Sequence, residues 1–172
     1  MAPTGERRTL VLLRHAKSSW DDPDLDDHER PLAERGRRDA TQVGTLMAER
    51  RIRPDLVLCS TAERTRQTWK RAERAGARAV EVRFDDRVYE ASSYGLLRLV
   101  QSVPDEVRSL LVLGHGPGLP DLADRLSIES TSEAARRMRM KFPTSGLALF
   151  AVTVPWAQLR EASLLDFVVP RG

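Results

Sequence analysis

The sequence predicts a three-layer α/β/α sandwich built on a mostly parallel central sheet. Three observations carry that expectation. Short aliphatic runs alternate with amphipathic stretches of helical period, the middle runs are apolar at nearly every position, and neither a disulfide pattern nor a metal pattern offers another scaffold.

The first run, Thr9–Leu13, reads as a strand that ends at Arg14-His15. Leu32, Gly36, Ala40, Val43 and Met47 then recur at spacings of four and three, which marks one face of a helix over Leu32–Arg50, stopping before Pro54. Asp55–Cys59 is the second strand and Arg64–Ala75 the second helix. Val80–Phe84, Ser92–Ser102, Leu110–Leu113 and Pro117–Ser127 continue the alternation of strand and helix. Pro117 opens the last of these, where its missing N–H costs nothing. Gly146–Val152 is a fifth strand and Leu164–Val169 a candidate sixth. Strands alternating with helices in this way call for right-handed crossovers between parallel neighbours. The acidic stretch Asp21–Glu29 and the basic stretch Arg136–Lys141 read as solvated loop or helix surface. Asp22, Asp24 and Asp26 alternate as in a calcium loop, but the glycine of the sixth position is missing and Ala33 stands at the twelfth, so that reading fails.

At 172 residues the chain is expected to be a single domain spanning 1–172 and to bury roughly 70% of its unfolded surface. No apolar run approaches the roughly 20 residues of a bilayer span, and the first eight residues hold no signal-peptide core, so a cytoplasmic protein without a membrane partner is expected. Cys59 is the single cysteine, which excludes an intrachain disulfide framework. With His15, His28 and His115 it makes no zinc spacing, so no metal or other cofactor is expected. Basic residues exceed acidic ones by only three, too weak a field to suggest nucleic acid. All but three of the 28 basic residues are arginines, and arginine suits phosphate recognition.

The unusual polar residues fall at strand carboxyl ends. Arg14-His15 follows the first strand, Ser60 and Arg64 the second, Glu90 the third and Gly114-His115-Gly116 the fourth. In an open parallel sheet those ends form the ligand crevice. Two arginines and two histidines converging there make a pocket for a dianionic phosphoryl group. A dinucleotide reading of Gly114, Gly116 and Gly118 fails, because the position that should carry the last glycine is Leu119, and no Walker lysine is present.

Leu13-Arg14-His15-Ala16-Lys17-Ser18-Ser19-Trp20 resembles the arginine-histidine signature of the histidine phosphatase superfamily. The resemblance continues through Arg30-Pro31-Leu32-Ala33-Glu34-Arg35-Gly36, Ser60-Thr61-Ala62-Glu63-Arg64-Thr65-Arg66-Gln67-Thr68 and Gly114-His115-Gly116-Pro117-Gly118-Leu119, in family order. The small size, the Lys-Ser-Ser-Trp continuation and Phe142-Pro143-Thr144 look like the SixA-type phosphohistidine phosphatases. That resemblance implies a phosphoglycerate-mutase-like fold, His15 as nucleophile and Arg14, Arg64 and His115 as phosphate ligands. Ser18 matches a polar family residue beside the phosphate, and Glu90 matches the general acid. Ala16 stands where glycine is common, Asp21 where many mutases carry asparagine, and Gly116 where many SixA-like sequences carry asparagine. His28 matches nothing catalytic and is expected to be exposed, while Cys59 is expected in the core.

The implied activity is metal-independent hydrolysis of phosphohistidine on a protein or in a small phosphoramidate. Two alternatives stand beside it: a small-molecule phosphomonoesterase on the same fold, and a non-catalytic phosphate-binding module. The expected partner is a phosphorylated protein or a small phosphorylated molecule, and the residues leave the oligomeric state open. The segments Ser18–Arg30 and Glu90–Tyr94 are short, so an open pocket mouth is expected.

Overall fold

The structure, a computed structural model, describes residues 7–172. Six strands, β1 (Arg8–Arg14), β2 (Leu56–Cys59), β3 (Glu81–Phe84), β4 (Ser109–Gly114), β5 (Leu147–Val152) and β6 (Ser163–Val168), form one sheet in the order β3-β2-β4-β1-β5-β6. The neighbours β3, β2, β4 and β1 pair in parallel. Only β5 is reversed, pairing antiparallel with both β1 and β6.

The side-chain period of two divides each central strand between two cores. Leu10 and Leu12 of β1 pack on one face with Leu110 and Val112 of β4, while Val11 and Leu13 pack on the other with Leu111 and Leu113. With both faces covered, neither strand has a polar side, which is why these runs read as uninterrupted apolar segments. Helices α1 (Glu34–Glu49) and α2 (Glu63–Arg74) cover the second face through Val43, Met47, Trp69 and Ala72. Helices α3 (Ser93–Gln101), α4 (Gly118–Leu126) and α5 (Glu133–Met140) cover the first through Leu96, Val100, Leu119, Leu122 and Met138. The sandwich therefore has the three layers expected.

Two local expectations need correction, and one helix was not predicted. Leu32 lies outside α1: it forms an isolated antiparallel bridge with Ser18, and its N–H bonds Gln67 Oε1 at 2.8 Å. Ala33, at the helix N-cap, is extended (φ −70°, ψ 168°), so the helix starts only at Glu34. Its first turn presses on the bridge, where a Cβ on Gly36 would sit 2.0 Å from Lys17 O, so the spacing that looked like core periodicity is here a requirement for no side chain. The strand β3 is not covered on both faces. It is an edge strand paired with β2 alone, and Glu81, Arg83 and Phe84 are exposed; charges there discourage pairing with another chain. Finally, the basic stretch Arg136–Lys141 belongs for the most part to α5. Ser132 caps that helix by accepting the Ala135 N–H, and Ala135 and Met138, one turn apart, are buried under an otherwise charged surface.

The topology locates a crevice. From β1 the chain leaves to α1 on one face of the sheet, and from the adjacent β4 it leaves to α4 on the other. Between two strands whose connections depart in opposite directions no helix closes the carboxyl edge, which is the switch-point geometry of ligand-binding α/β sheets. Arg14 and Gly114 are register partners at that point, so the two residues that follow them are side by side.

Candidate active site

His15 and His115 extend directly from β1 and β4 across the switch point. His15 N–H bonds Gly114 O at 3.1 Å, and the two imidazole rings lie 5.2 Å apart at a tilt of 51°. His15 Nδ1 lies 2.7 Å from Ala16 O. A carbonyl can only accept, so Nδ1 carries the proton and Nε2 keeps its lone pair. Burial above all holds the His15 imidazole down at about 3, with the positive charges of Arg64, Arg14 and Arg30 acting the same way. The ring is therefore neutral at pH 7.

His115 is polarised by a different partner. Ser60 Oγ accepts the Ala62 N–H at 3.2 Å and lies 2.7 Å from His115 Nε2; with the Ser60 hydroxyl donating to Nε2, the His115 proton sits on Nδ1. That Nδ1 is buried and has no hydrogen-bond partner. Arg14 Nε is in the same condition, while Arg14 Nη1 donates to Phe142 O at 2.7 Å. A Cβ on Gly116 would lie 3.3 Å from Arg14 Cζ, so the glycine lets the guanidinium rest flat against the β4–α4 turn. Buried donors without acceptors are costly in a folded protein, and two at the floor of one crevice suit the oxygens of an anion.

Arg64, in the first turn of α2, has 7% of its surface exposed. Its Nη1 and Nη2 donate to Asp27 O (2.7 Å) and Asp27 Oδ2 (3.0 Å), which spends the outer edge of the guanidinium and leaves the Nε edge for a ligand. Asp27 belongs to a single 3-10 turn, Asp27–Glu29, inside the acidic stretch. Its carboxylate also accepts from Tyr89 Oη (2.6 Å) and Arg30 Nη1 (2.9 Å). The Tyr89 hydroxyl, then Arg64 and Arg30, hold that carboxyl far below the usual carboxylate range. Arg30 is buried as well: it donates to Ser18 Oγ (2.6 Å) and Ser19 O (3.1 Å), and its guanidinium lies 3.3 Å from the ring centre of Trp20. Because Ser18 Oγ accepts from Arg30, its own hydrogen is free to donate into the crevice.

Of the residues singled out in the sequence, Arg14, His15, Arg64, His115 and Ser18 thus converge. Glu90 makes no contact with them but follows Tyr89, whose ring meets that of His115 at 5.5 Å. Glu90 itself is exposed on the β3–α3 loop, and among the described residues it makes no hydrogen bond or ion pair. Its φ of 57° places it in the left-handed region, a sparsely used conformation for a side-chain-bearing residue. His28, expected to be exposed, is half-buried: its Nε2 lies 2.8 Å from Thr61 Oγ1 and its ring meets Tyr89 edge to face. Asp27 links Tyr89 Oη to the Arg64 guanidinium beside the crevice. Cys59 is buried as expected, and burial pushes its thiol up to about 12.

The family model of the histidine phosphatase superfamily (branch 1) matches residues 10–140. The chain belongs to the histidine phosphatase superfamily. An uncharacterized protein of Mycobacterium tuberculosis is 40% identical to this histidine phosphatase over 163 residues, covering 92% of this chain and all of that one. Among solved structures, the candidate phosphohistidine phosphatase SixA of Nakamurella multipartitia is 33% identical, with a TM-score of 0.81 over 95% of this chain and 96% of that one. The protein histidine phosphatase SixA complexed with tungstate superposes with a TM-score of 0.77 over 94% of this chain and 97% of that one; at 18% identity it shares the fold. The enzyme is thus a phosphatase of phosphoglycerate-mutase-like fold, and among its described residues no helix is long and apolar enough to cross a membrane.

The depressed imidazoles make this histidine phosphatase sensitive to acid. Burial, then the neighbouring His15 and Arg64, holds His115 at about 3 as well. As pH falls below the ordinary 6.5, an unfolded chain takes up two protons that the folded chain refuses until about 3, so stability is lost across that window. Asp27 adds to the loss below 3.8, its ordinary value, since its folded carboxyl is depressed. The melting temperature is expected to fall steadily from pH 7 to pH 4, and His15→Asn or His115→Asn to flatten the slope. A wild-type slope that neither substitution changes would contradict the assignment of two buried neutral imidazoles.

Proposed function

We propose that this histidine phosphatase hydrolyses phosphohistidine, on a protein or as a small phosphoramidate, through a covalent phosphohistidine at His15. The observation that carries the reading is the His15 Nδ1–H bond to Ala16 O, which leaves Nε2 free, neutral and beside three cationic or N–H donors. Nε2 attacks phosphorus as the bond from phosphorus to the leaving nitrogen breaks, and that nitrogen takes a proton. Water then attacks the phosphoryl group, the P–Nε2 bond breaks, and phosphate leaves with His15 restored. Arg14 Nε, the free edge of Arg64, His115 Nδ1–H and the Ser18 hydroxyl are assigned to the phosphoryl oxygens, where fixed donors stabilise charge as it spreads in the transition state. Ala16 O stabilises the proton on Nδ1 while the ring carries the phosphoryl group.

These donors supply the charge neutralisation without a metal. Turnover is therefore expected to persist in excess chelator, measured as initial rate before and after dialysis against it; loss restored by magnesium would overturn this part of the reading. Arg30 and Asp27 are placed behind the first layer, one holding Ser18 and the other holding Arg64.

Glu90 is assigned as the proton donor to the leaving group, an assignment supported by its strained backbone at the crevice edge, since such outliers gather at functional sites. An imidazole leaving group is protonated readily, whereas an alkoxide needs the acid. Glu90→Gln is accordingly expected to lower kcat on a phosphate ester by about 10²-fold and on phosphohistidine by much less. Parallel kinetics on both substrates decide it, and an equal loss on the two removes Glu90 from that role. The assay that tests the substrate class itself compares kcat/KM for phosphohistidine with that for sugar phosphates. A preference for the sugar phosphate, with phosphohistidine untouched, would make the chain a small-molecule phosphomonoesterase.

A further inference from the structure

A continuous run of hydrogen bonds joins the segment after β6 to the backbone of His15, and the phosphoryl chemistry makes no use of it. Asp39 of α1 is fully buried. Its carboxylate accepts from Arg171 Nη1 (3.2 Å), the Gly172 N–H (3.0 Å) and Arg35 Nε (3.3 Å). The same Arg171 Nη1 lies 2.6 Å from Ser145 Oγ and 2.9 Å from Thr144 O. Ser145 is also fully buried, and its N–H is shared between Arg14 O (3.1 Å) and His15 O (2.9 Å). Its loop supplies Phe142 O, the acceptor of Arg14 Nη1.

The backbone of Ser145 is the unusual link. With φ at 59° it occupies the left-handed region, which glycine enters freely and serine does not. What the serine brings is its hydroxyl, which donates to Thr144 O at 2.7 Å and accepts from Arg171. Gly146, next in the chain and free to take any backbone conformation, follows the strained residue instead of occupying its place. An over-determined, strained residue gripping the peptides of two catalytic-site residues is a device for holding them still.

We propose that Arg171 is a positioning residue: braced on Asp39, it pins Ser145, so that the 142–145 loop fixes the His15–Ala16 peptide and hence the orientation of the His15 ring. The ring's own acceptor, Ala16 O, lies one peptide beyond the carbonyl that Ser145 grips. An attacking atom displaced by about 1 Å can lose 10²-fold in rate, so a small loosening here reaches the chemistry.

The proposal rests on His15 as the nucleophile, and the experiment separates the two. Full-length Arg171→Ala, Arg171→Lys and Arg50→Ala are compared with the wild type; Arg50 forms a surface ion pair with Asp166 at 2.6 Å and serves as the stability control. Rapid-quench phosphoryl transfer to His15 is expected to slow about tenfold in Arg171→Ala, with KM within about twofold, and to recover largely in Arg171→Lys, which keeps a donor. The Nδ1–H proton resonance of His15 should broaden through exchange in Arg171→Ala and stay sharp in Arg50→Ala. Transfer and resonance both unchanged in Arg171→Ala overturn the proposal, as does a loss that vanishes once rates are expressed per folded molecule. Absence of phosphate on His15 in the wild type overturns the nucleophile assignment, and the resonance then still decides whether Arg171 positions the ring.

Discussion

Alanine at position 15 is expected to abolish turnover, lowering kcat by about 10⁴-fold or more, while the wild type quenched in mid-reaction carries acid-labile phosphate on His15. The size follows from the geometry. His15 Nε2 keeps its lone pair because Nδ1 is held by Ala16 O, whereas His115 Nε2 is engaged by Ser60 Oγ and Ser18 Oγ accepts from Arg30. His15→Ala leaves the donors intact, so inhibition by vanadate or tungstate is expected to survive as binding even though hydrolysis does not. Mass spectrometry of the trapped intermediate identifies the site, and phosphate on Ser18 or Ser60, or turnover persisting in the alanine variant, would refute the covalent mechanism.

The second large effect is expected from Arg64→Lys, a loss of about 10²-fold in kcat/KM. Charge is retained, so a purely coulombic role would predict almost none. Arg64, however, serves two sides at once: its outer nitrogens are bound by Asp27 O and Asp27 Oδ2, and its Nε edge is left for the phosphoryl oxygens. One ammonium cannot satisfy both. Asp27→Ala should cost less on its own, because it loosens Arg64 without removing it. Combined with Arg64→Lys it should add little, since both changes break one interaction. Steady-state kinetics of the two single variants and the double variant check this, and additive losses would show that Asp27 acts elsewhere.

Arg14, His15, Arg64 and His115 were legible in the chain because each follows a strand, and strand ends of a parallel sheet converge by geometry alone. Asp27 and Tyr89 were not, and Ser60 and Arg30 stood out as strand-end and motif residues without their partners. Asp27 pairs with Arg64 and with Tyr89 across separations of 37 and 62 residues, and neither aspartate nor tyrosine carries a local sign of its partner. An acidic run reads as solvated surface until the fold brings arginines to it. The edge position of β3 follows from strand order, which its own four residues do not encode. The helix α5 was hidden for the opposite reason: eight residues offer two buried positions, too few for a period to emerge from a basic stretch. Leu32 satisfied the helical period and still fell outside the helix, since the bridge to Ser18 outweighs one more apolar match.

The stacking of Trp20 on Arg30 has an optical consequence. Of the three tryptophans, Trp69 and Trp156 are 3% and 0% exposed and sit in apolar cores, while Trp20 is 72% exposed. Emission at long wavelength, and nearly all collisional quenching by acrylamide, should therefore come from one indole. That indole lies on the guanidinium that links the Ser18 hydroxyl to the Asp27 carboxylate. A rearrangement of Arg30 on oxyanion entry would therefore be read as a change in the emission of Trp20, without a label or a chromogenic substrate.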